Sequence, residues 1–460
     1  MSHTDFLFQF YRQLRNHKIW GIYEFFTPSL MIADPELLKH ILVKDFEHFA
    51  DRRMFGDQKG SVMTQMLFNK HGEEWKNLRA VMTPTFSSGK MRNMFHLICE
   101  KADILVSFSL KKAGKNMPVD MRDMFGRFTM DTIASCAFGI ECNSLSDSKP
   151  VFAKNAEKFF NIRGLRALKM AMMMCMPKLH NFLGLKVDSP EIEFFTKLSK
   201  DNVAAREKGE RRGDFLDLLL EAQASEKDIH PGKKVFGEHT LVAQSVSFLM
   251  AGYDTTATAL AFCAFVMAKH HQEQKRLRHE MQGLIKEYGS VTYQGIMEAK
   301  YLDAVLMVIF AESLEVLVMA LEALHEEVKP LGLGFPDSRP RIPDTDVILK
   351  PGDLVQFPLW SLHHDPQYWP AAEEFKVERF LPENKDNIHS FTHMPFGMGP
   401  RSCIAMRFAV MEIKIALAQL ILAADLKLAP GHEHLEFQAS PFFLRPKEGV
   451  MLILTPLKKE

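Results

Sequence analysis

The sequence predicts a mainly helical α+β fold with a small β subdomain. Residues 241–268 form the longest apolar segment, and Met406 to Ala424 form a second apolar run directly after a glycine- and proline-rich turn. Apolar runs of this length favour buried helices. Short apolar pieces separated by turn residues within residues 18–48 favour strands. We expect one domain over residues 1–460, because a large helical domain can reach this length.

The overall composition narrows the class of partner. Lys plus Arg and Asp plus Glu each number 57, so the net charge is zero and we expect no nucleic-acid partner. The chain contains 37 Phe and 28 Met, which suit a large apolar pocket, although ordinary core packing explains the same composition. The six cysteines do not show the spacing of a disulfide framework. This favours a reducing compartment facing the cytosol.

Two strands and a helix are predicted near the N-terminus. Ile19 to Tyr23 and Pro28 to Ile32 are apolar pieces, and Asp34-Pro35-Glu36 is typical of a helix start. Arg52 and Arg53 follow in a predicted loop.

The next predicted helix places an aromatic and a basic residue on one face. Residues 73–79 read Glu-Glu-Trp-Lys-Asn-Leu-Arg, so Trp75 and Arg79 stand four residues apart on the same side. Taken alone, this pair is also typical of a solvated helix surface.

A methionine-rich run lies within residues 158–186. The stretch from Lys169 to Met176 is flexible and apolar, which suits a movable pocket roof or contact with a membrane. An amphipathic core helix explains the same residues equally well.

The apolar segment 241–268 carries polar residues at its centre. A membrane span is the competing interpretation, but Gln244, Asp254 and the threonines are costly in a bilayer and favour a core helix. Gly252 would let the backbone approach a flat ligand, and Thr255 can bond a backbone carbonyl and open the helix locally. Asp254 and Thr255 form an acid–alcohol pair that can relay protons, although such a pair is also a common structural hydrogen bond.

The most specific pattern of the chain is Phe396-Gly397-Met398-Gly399-Pro400-Arg401-Ser402-Cys403-Ile404-Ala405. Its glycines and proline predict a tight turn that places Cys403 where a rigid loop enters a helix. The unpaired N–H groups and the helix dipole there favour a thiolate, which is a suitable axial ligand for iron. Arg401 can reach a carboxylate, and Phe396 can cover the side of the site that carries the sulfur. The alternative is an ordinary buried cysteine in a turn.

Three motifs resemble those of the cytochrome P450 family: F-x-x-G-x-R-x-C-x-[GA] at 396–405, A-G-x-[DE]-T at 251–255 and W-x-x-x-R at 75–79. The resemblance covers most of the chain and is closest to the animal microsomal branch with xenobiotic-metabolising members. It implies a helical prism with haem between the helix at 241–268 and the helix after Cys403. It implies β-rich parts at about residues 18–50 and 340–360. It also implies a haem-binding loop at residues 396–405.

The resemblance also implies roles for individual residues. Cys403 would ligate the iron, and Thr255 and Asp254 would deliver protons during activation of O2. Four residues would hold the haem propionates: Arg52, Trp75, Arg79 and Arg401. Further haem contacts are implied at Ala251, His364, Phe396 and Ala405, and pocket residues at Met250, Phe442 and Phe443.

One part of the chain departs from the family pattern. The family carries an E-x-x-R motif that forms a buried ion pair with a later Arg, whereas the best match here is Glu312-Ser313-Leu314-Glu315. Arg379 remains as the implied ion-pair partner of Glu312, and the segment from Glu315 to Arg341 is longer than usual. An unpaired buried carboxylate is unfavourable. A chain that binds haem without catalysis, or that cannot hold haem, is therefore an open alternative.

The resemblance implies a haem-thiolate monooxygenase that inserts one oxygen atom of O2 into an apolar small molecule. We expect haem b as the cofactor and no bound flavin or nicotinamide, since neither fingerprint occurs in the sequence. Electrons would come from NADPH through NADPH-cytochrome P450 reductase, with cytochrome b5 as a further partner. The alternative enzyme is a haem-thiolate isomerase or dehydratase, which the pair of Asp254 and Thr255 disfavours.

The implied location is the cytosolic face of the endoplasmic reticulum membrane. Members of the microsomal branch carry an N-terminal anchor helix, whereas Met1-Ser2-His3 stands almost directly before the expected catalytic domain. We therefore expect this chain to lack the anchor and to contact the membrane surface peripherally.

Overall fold

The structure is a computed structural model, and it describes residues 3–24, 27–53, 60–113, 117–147, 150–162, 164–209, 212–229, 236–312, 325–327, 340–438 and 445–457. Most of these residues are helical, which confirms the predicted fold class. The helices are α1 His3–Leu14, α2 Pro35–Lys39, α3 Val62–Gln65, α4 Gly72–Met82, α5 Ser88–Ala113, α6 Met121–Ile133, α7 Val151–Phe160, α8 Leu165–Cys175, α9 Pro177–Phe182, α10 Pro190–Glu207, α11 Phe215–Ile229, α12 Glu238–Lys269, α13 His271–Tyr288, α14 Tyr293–Glu298, α15 Lys300–Glu312, α16 Leu359–His363 and α17 Met406–Ala423.

The strands are short and form three small sheets among the described residues. Their bounds are β1 Ile19–Glu24, β2 Thr27–Ile32, β3 Asp51–Arg53, β4 Val119–Asp120, β5 His325–Glu327, β6 Leu354–Gln356, β7 Ala424–Leu428, β8 Phe437–Gln438, β9 Arg445–Pro446 and β10 Met451–Pro456. The largest sheet has the order β1-β2-β6-β5-β3. Its β2–β6 pair is parallel, with Ser29 opposite Leu354, and its other pairs are antiparallel. The other sheets are β4-β10-β7 and β8-β9.

The N-terminal part of the large sheet agrees with the sequence except at Arg52. Both predicted strands are present, and Asp34 caps α2 by accepting the N–H groups of Glu36 and Leu37 at 3.0 Å each. Arg52 lies in β3, paired with β5, rather than in a loop. The difference arises because a strand of three residues shows no alternation, and because its partner is remote in sequence.

The long apolar segment forms the central helix of the main core. α12 packs against α6, α10 and α17, and most of its residues are buried. Among the described residues it is the one helix long and apolar enough to cross a membrane, but 78% of its apolar window lies inside the protein. This burial favours the predicted core helix over the membrane span.

Gly252 allows two core helices to pack closely. A Cβ atom at this position would lie 2.9 Å from Cδ1 of Ile133 in α6, closer than real side-chain contacts. The approach of the partly exposed backbone of Gly252 to a flat ligand stays a prediction. The glycine allows α6 to approach α12, and the hydroxyl of Thr129 then donates to the carbonyl of Tyr253 at 2.9 Å.

The methionine-rich region forms α8 and α9 and has both an inward and an outward apolar face. Met173 is buried, whereas Leu165 is 84% exposed and Phe182 is 86% exposed. Exposed apolar side chains concentrated in one region typically mark a contact with a membrane or a partner.

A buried histidine joins α16 to the segment that leads into the cysteine loop. His363 is 3% exposed, and its Nε2 atom accepts the N–H of Met394 at 2.9 Å. Its ring stacks on His393, with ring centroids 5.1 Å apart. Burial lowers the pKa of His363 well below its ordinary value, and the neighbouring histidines add to this effect. The folded protein therefore holds His363 neutral.

This arrangement predicts a loss of stability in mild acid. Below about pH 6.5 the unfolded chain takes up a proton on His363 that the folded protein cannot accept, so the free energy of unfolding falls with pH. His363→Gln keeps an acceptor for Met394 but cannot titrate. We expect this variant to remove up to about 1.4 kcal/mol per pH unit from the slope below pH 6.5, measured by denaturant unfolding. The control is His389→Gln at an exposed position. An equal slope in the wild type and in the His363→Gln variant would contradict the argument.

Candidate active site

The cysteine loop is a closed turn with two residues in left-handed conformations. Gly397 and Gly399 have φ angles of 70° and 73°. The N–H of Cys403 donates to the carbonyl of Phe396 at 2.9 Å and closes the loop. A Cβ atom on Gly399 would lie 2.1 Å from the carbonyl oxygen of Leu42, so only glycine fits there.

Cys403 presents an accessible thiol that is nevertheless surrounded by protein. It is the exposed member among the cysteines whose side chains the structure describes, and Cys136 and Cys263 are buried. Burial raises the pKa of the Cys403 thiol, while the N–H of Ala405 and the charge of Arg79 lower it. The residue is thus accessible to solvent although protein atoms surround its thiol group.

The protonation of Cys403 differs from the sequence-based expectation. The helix start was expected to favour a thiolate, but the pKa of the thiol is raised above its ordinary value. Desolvation outweighs the N–H donor and the nearby guanidinium. A cation bound to the sulfur would act against this desolvation and favour the thiolate.

Arg401 is a buried cation that braces the loop. Its Nε atom donates to the carbonyl of Ala50 and its Nη2 atom to the carbonyl of Lys70, both at 2.8 Å. Its guanidinium carbon lies 4.1 Å from the ring centroid of Trp75, a cation–π contact. Asp51 lies 3.9 Å from Arg401.

Two further arginines lie beside this one. Arg79 donates to the carbonyl of Ser402 at 2.9 Å, one residue before the cysteine. Burial lowers the pKa of Arg79, Cys403 raises it, and the nearby charge of Arg52 lowers it further. The structure thus brings together, next to Cys403, Arg52 from β3, Trp75 and Arg79 from α4, and Arg401 from the cysteine loop. Such a group suits a ligand with carboxylates.

The centre of α12 has an accessible face within an otherwise buried helix. Ala251 is exposed and Thr255 is partly exposed, whereas Tyr253, Asp254 and Thr256 are buried. The hydroxyl of Thr255 donates to the carbonyl of Ala251 at 2.6 Å, as the sequence suggested it could. Ala251 and Thr255 therefore form the accessible face of the centre of α12.

Asp254 points to the other side of the helix and has a partner that the sequence analysis missed. Its carboxylate is fully buried and forms an ion pair with Arg122 at the start of α6. The two residues are 132 positions apart, so no motif or helical spacing relates them. The signal in the sequence is only that a buried carboxylate requires a cation somewhere in the chain.

The remaining predicted residues have mixed surroundings. His364 packs on Trp360 with ring centroids 3.7 Å apart, and burial lowers its pKa. Phe396 makes an edge-to-face contact with Phe310 at 5.4 Å, and Met250 is buried in the core. Arg379 donates to the carbonyls of Pro370 and Ala371. Four predicted positions lie outside the described residues: Phe442, Phe443, Glu315 and the side chain of Glu312.

The residues present fit a haem. A thiol with an N–H donor beside its sulfur is a suitable axial ligand, and burial would favour its coordination over solvation. Three guanidinium groups beside it match the two propionates of the macrocycle. The accessible face at Ala251 and Thr255 supplies a wall without bulky side chains.

Comparison with known proteins identifies the family. The sequence profile of the family described as Cytochrome P450 matches residues 1–308 and 341–454. Cytochrome P450 9e2 of Blattella germanica is 36% identical over 446 residues, which cover 91% of this chain and 81% of that protein. Cytochrome P450 3A41 of Mus musculus is 34% identical over 413 residues, which cover 88% of this chain and 78% of that protein. Cytochrome P450 6j1 of Blattella germanica is 36% identical over 459 residues, which cover 98% of this chain and 87% of that protein.

This chain belongs to the cytochrome P450 family. It is therefore an oxidoreductase of the haem-thiolate monooxygenase class, and it uses haem iron and O2. Members of the family generally take electrons from a redox partner such as a reductase. Residues 309–340, which include Glu312 and Glu315, lie between the two matched segments.

The two glycines of the loop predict different costs of substitution. Gly397→Ala adds a side chain to a left-handed residue whose nearest neighbour would be 3.7 Å away, so we expect a loss of about 1–2 kcal/mol in the free energy of unfolding. Gly399→Ala adds the same strain and also a clash with the carbonyl of Leu42, which costs about 1–3 kcal/mol more. Denaturant unfolding of both variants measures the difference. Equal losses would mean that the contact between Gly399 and Leu42 does not constrain the loop.

Proposed function

We propose that this protein inserts one oxygen atom of O2 into an apolar small molecule, with haem b as cofactor and electrons supplied from NADPH by NADPH-cytochrome P450 reductase. The observation that carries the proposal is the Cys403 thiol. Its sulfur is accessible inside the fold, receives an N–H from Ala405 and lies beside Arg79. The buried apolar surroundings of α12, including Met250, support an apolar substrate.

In this proposal the residues around Cys403 hold the cofactor. Bound haem would supply the iron at which O2 is activated. The sulfur of Cys403 ligates that iron, and the N–H of Ala405 limits the charge on the sulfur. Arg52, Arg79 and Arg401 bind the propionates, with Trp75 fixing the plane of Arg401. Ala251, His364 and Phe396 are proposed as further contacts.

Proton supply is assigned to the centre of α12. Thr255 keeps its hydroxyl at the accessible face by donating to Ala251 at 2.6 Å, so its oxygen can accept one proton and pass on another. Asp254 is the proposed source of that proton. Its burial isolates the acid from bulk water and limits proton exchange to defined neighbours.

Exposed basic residues beside the cysteine loop support docking of a reductase or cytochrome b5. Lys76, Arg92 and Arg407 are exposed, and Lys90 is partly exposed. Nη1 of Arg407 donates to the hydroxyl of Ser88 at 3.3 Å. This hydrogen bond joins the start of α17 to the start of α5. Lys76 and Lys90 pair with Glu73 at 4.0 Å and Glu221 at 3.2 Å, so the surface carries both charges, and complementary charges steer a partner during association.

A second surface supports attachment to the endoplasmic reticulum membrane. Large apolar side chains are exposed on and after α8 and α9: Leu165, Leu168, Leu179, Phe182 and Leu183. Lys186 follows them and is 81% exposed on its side chain. Apolar groups flanked by basic ones are typical of segments that enter the headgroup region of a bilayer.

A haem-binding protein with impaired activity is the second candidate. The observation that favours it is the segment 309–340, which the family profile leaves unmatched and which carries Glu315 where the family has Arg. This candidate predicts low haem occupancy in the purified protein. The first candidate predicts high occupancy and product formation that depends on NADPH and reductase.

The first prediction of the proposal concerns the iron ligand. The reduced protein with carbon monoxide should show the red-shifted band that marks a thiolate ligand, and Cys403→Ser should abolish it. Cys99→Ser is the matched control, since Cys99 is partly buried on the surface of α5. A band that survives in Cys403→Ser would overturn the assignment of this residue.

A second prediction concerns the proposed proton relay. Thr255→Ala removes the hydroxyl at the accessible face of α12, so electrons from NADPH should form more hydrogen peroxide and less product. We expect the fraction of NADPH converted to product to fall by roughly tenfold or more, because positioned acid–base groups contribute about 100-fold or more to rates. Thr256→Ala, at the adjacent buried residue, is the control. Unchanged coupling in Thr255→Ala would exclude the relay.

A further inference from the structure

A pocket of about 510 Å³ lies beside the cysteine loop. Its walls come from α5, α14, α15 and α17 and from residues 393–398, which include the start of the loop. Among the described residues, none of those that line it belongs to α12. The pocket is therefore separate from the accessible face at Ala251 and Thr255. Its volume lies in the range of about 300–1,000 Å³ that is typical of small-molecule sites.

Methionine side chains line this pocket on all sides, with at least one from each element of its wall. Met91 and Met411 are buried, whereas Met297, Met398 and Met406 are exposed by 38%, 38% and 43%. The apolar wall is therefore open to a molecule that arrives from solvent. Thioether groups adapt their shape to a ligand and make favourable contacts with aromatic rings. These side chains thus favour an aromatic body in the pocket.

Some of the polar groups in the wall carry no net charge. Nζ of Lys414 lies 2.7 Å from Oδ1 of Asp303, so the two charges cancel. The ring of His393 donates from Nε2 to the carbonyl of Met307 at 3.0 Å. Burial lowers the pKa of His393 to about 4, so its ring is neutral at neutral pH.

Arg407 leaves the lining with a positive charge. The charged residues described in the wall are one Asp, one Lys and this Arg, in addition to the neutral histidine, so their net charge is +1. Arg407 is exposed, and its Nη1 atom donates to the exposed hydroxyl of Ser88 at 3.3 Å. Arg92 adds to the positive potential, since its guanidinium carbon lies 5.2 Å from the centroid of the Tyr293 ring in the wall. A single carboxylate complements this part of the pocket.

We propose that this pocket binds an aromatic carboxylate, with the ring among the methionines and the carboxylate accepting hydrogen bonds from Arg407 and Ser88. The bound molecule covers part of the basic surface at which a reductase or cytochrome b5 is proposed to dock. Its occupancy therefore competes with the supply of electrons. The competition rests on the proposed function, whereas the binding of the carboxylate does not.

A pocket that accepts a side chain of the docking protein is the alternative explanation. Both explanations expect that a filled pocket changes the association with a reductase. Only the proposal expects a small aromatic anion to bind to the chain by itself, and to bind more tightly than a neutral molecule of the same shape.

Binding is tested with naphthoate and with neutral naphthamide on the full chain, reduced and bound to carbon monoxide. Calorimetry gives both dissociation constants, and the signals of isotope-labelled methionine methyl groups locate the ligand. We expect naphthoate to bind severalfold more tightly and to shift the signals of Met297, Met398 and Met406, while Met250 in α12 stays unchanged. Equal affinities would overturn the role of the charge. A shift at Met250 without shifts at the other three would overturn the site.

Variants separate the charge from the apolar wall. Arg407→Gln should weaken the binding of naphthoate by roughly threefold, the scale of an exposed ion pair, and leave that of naphthamide unchanged. Lys76→Gln is the matched control, because Lys76 is exposed and basic but lies outside the lining. It should match the wild type. An equal loss in Lys76→Gln and Arg407→Gln would mean that the charge acts only through the general field, and would overturn the contact.

Filling the pocket tests the wall itself. Val410 is partly buried on α17, and Val410→Trp should abolish the binding of both molecules. Met398→Glu serves if the larger side chain disturbs the fold, because this position is exposed. Its added carboxylate should weaken the binding of naphthoate more than that of naphthamide. Unchanged binding in both variants would overturn the proposal.

Competition is measured by titrating NADPH-cytochrome P450 reductase. Saturating naphthoate should raise the dissociation constant of the reductase severalfold in the wild type but not in Val410→Trp. An unchanged constant would overturn the competition. Methionine shifts caused by the reductase but not by naphthoate would overturn the small-molecule site in favour of a protein side chain. Absence of the thiolate band would instead refute the proposed function, since the methionine signals would still report on the pocket.

Discussion

The contact between the cysteine loop and the segment at residues 42–51 is the constraint on which the site depends. Gly399 comes so close to the carbonyl of Leu42 that no side chain fits between them, and Arg401 donates to the carbonyl of Ala50 at 2.8 Å. This segment leads directly into β3, which carries Arg52. One contact therefore sets the position of Cys403 and of a cation expected to bind the haem.

Burial and charge act against each other around Cys403. Desolvation favours the neutral thiol, whereas Arg79 and the N–H of Ala405 favour the thiolate. Desolvation is the largest of these effects, so the pKa of the thiol lies above its ordinary value. The same desolvation lowers the pKa of Arg79. A thiolate at Cys403 would offset the cost of burying the Arg79 guanidinium. This explains why a charged side chain is tolerated at that position.

The parts that the sequence predicted correctly depend on local chemistry. The turn before Cys403, the strands near residue 20 and the central helix follow from glycine conformations, apolar runs and capping residues close together in the chain. The parts that it missed depend on distant partners. Arg122 meets Asp254 across 132 residues, and Gly252 packs against Ile133 of another helix. Tertiary packing decides such pairs, and a local pattern holds no information about it.

The polar residues of α12 show how one apolar helix organises several parts of the fold. Gln244 accepts the N–H of Leu67 at 2.8 Å and donates to the carbonyl of Gln65 at 2.7 Å, so it holds the short helix α3 against the core. Asp254 holds α6 through Arg122, and Thr255 turns its hydroxyl to the accessible face. A buried ion pair adds little net stability compared with a well-packed apolar pair. Stability alone therefore does not account for the charge at Asp254.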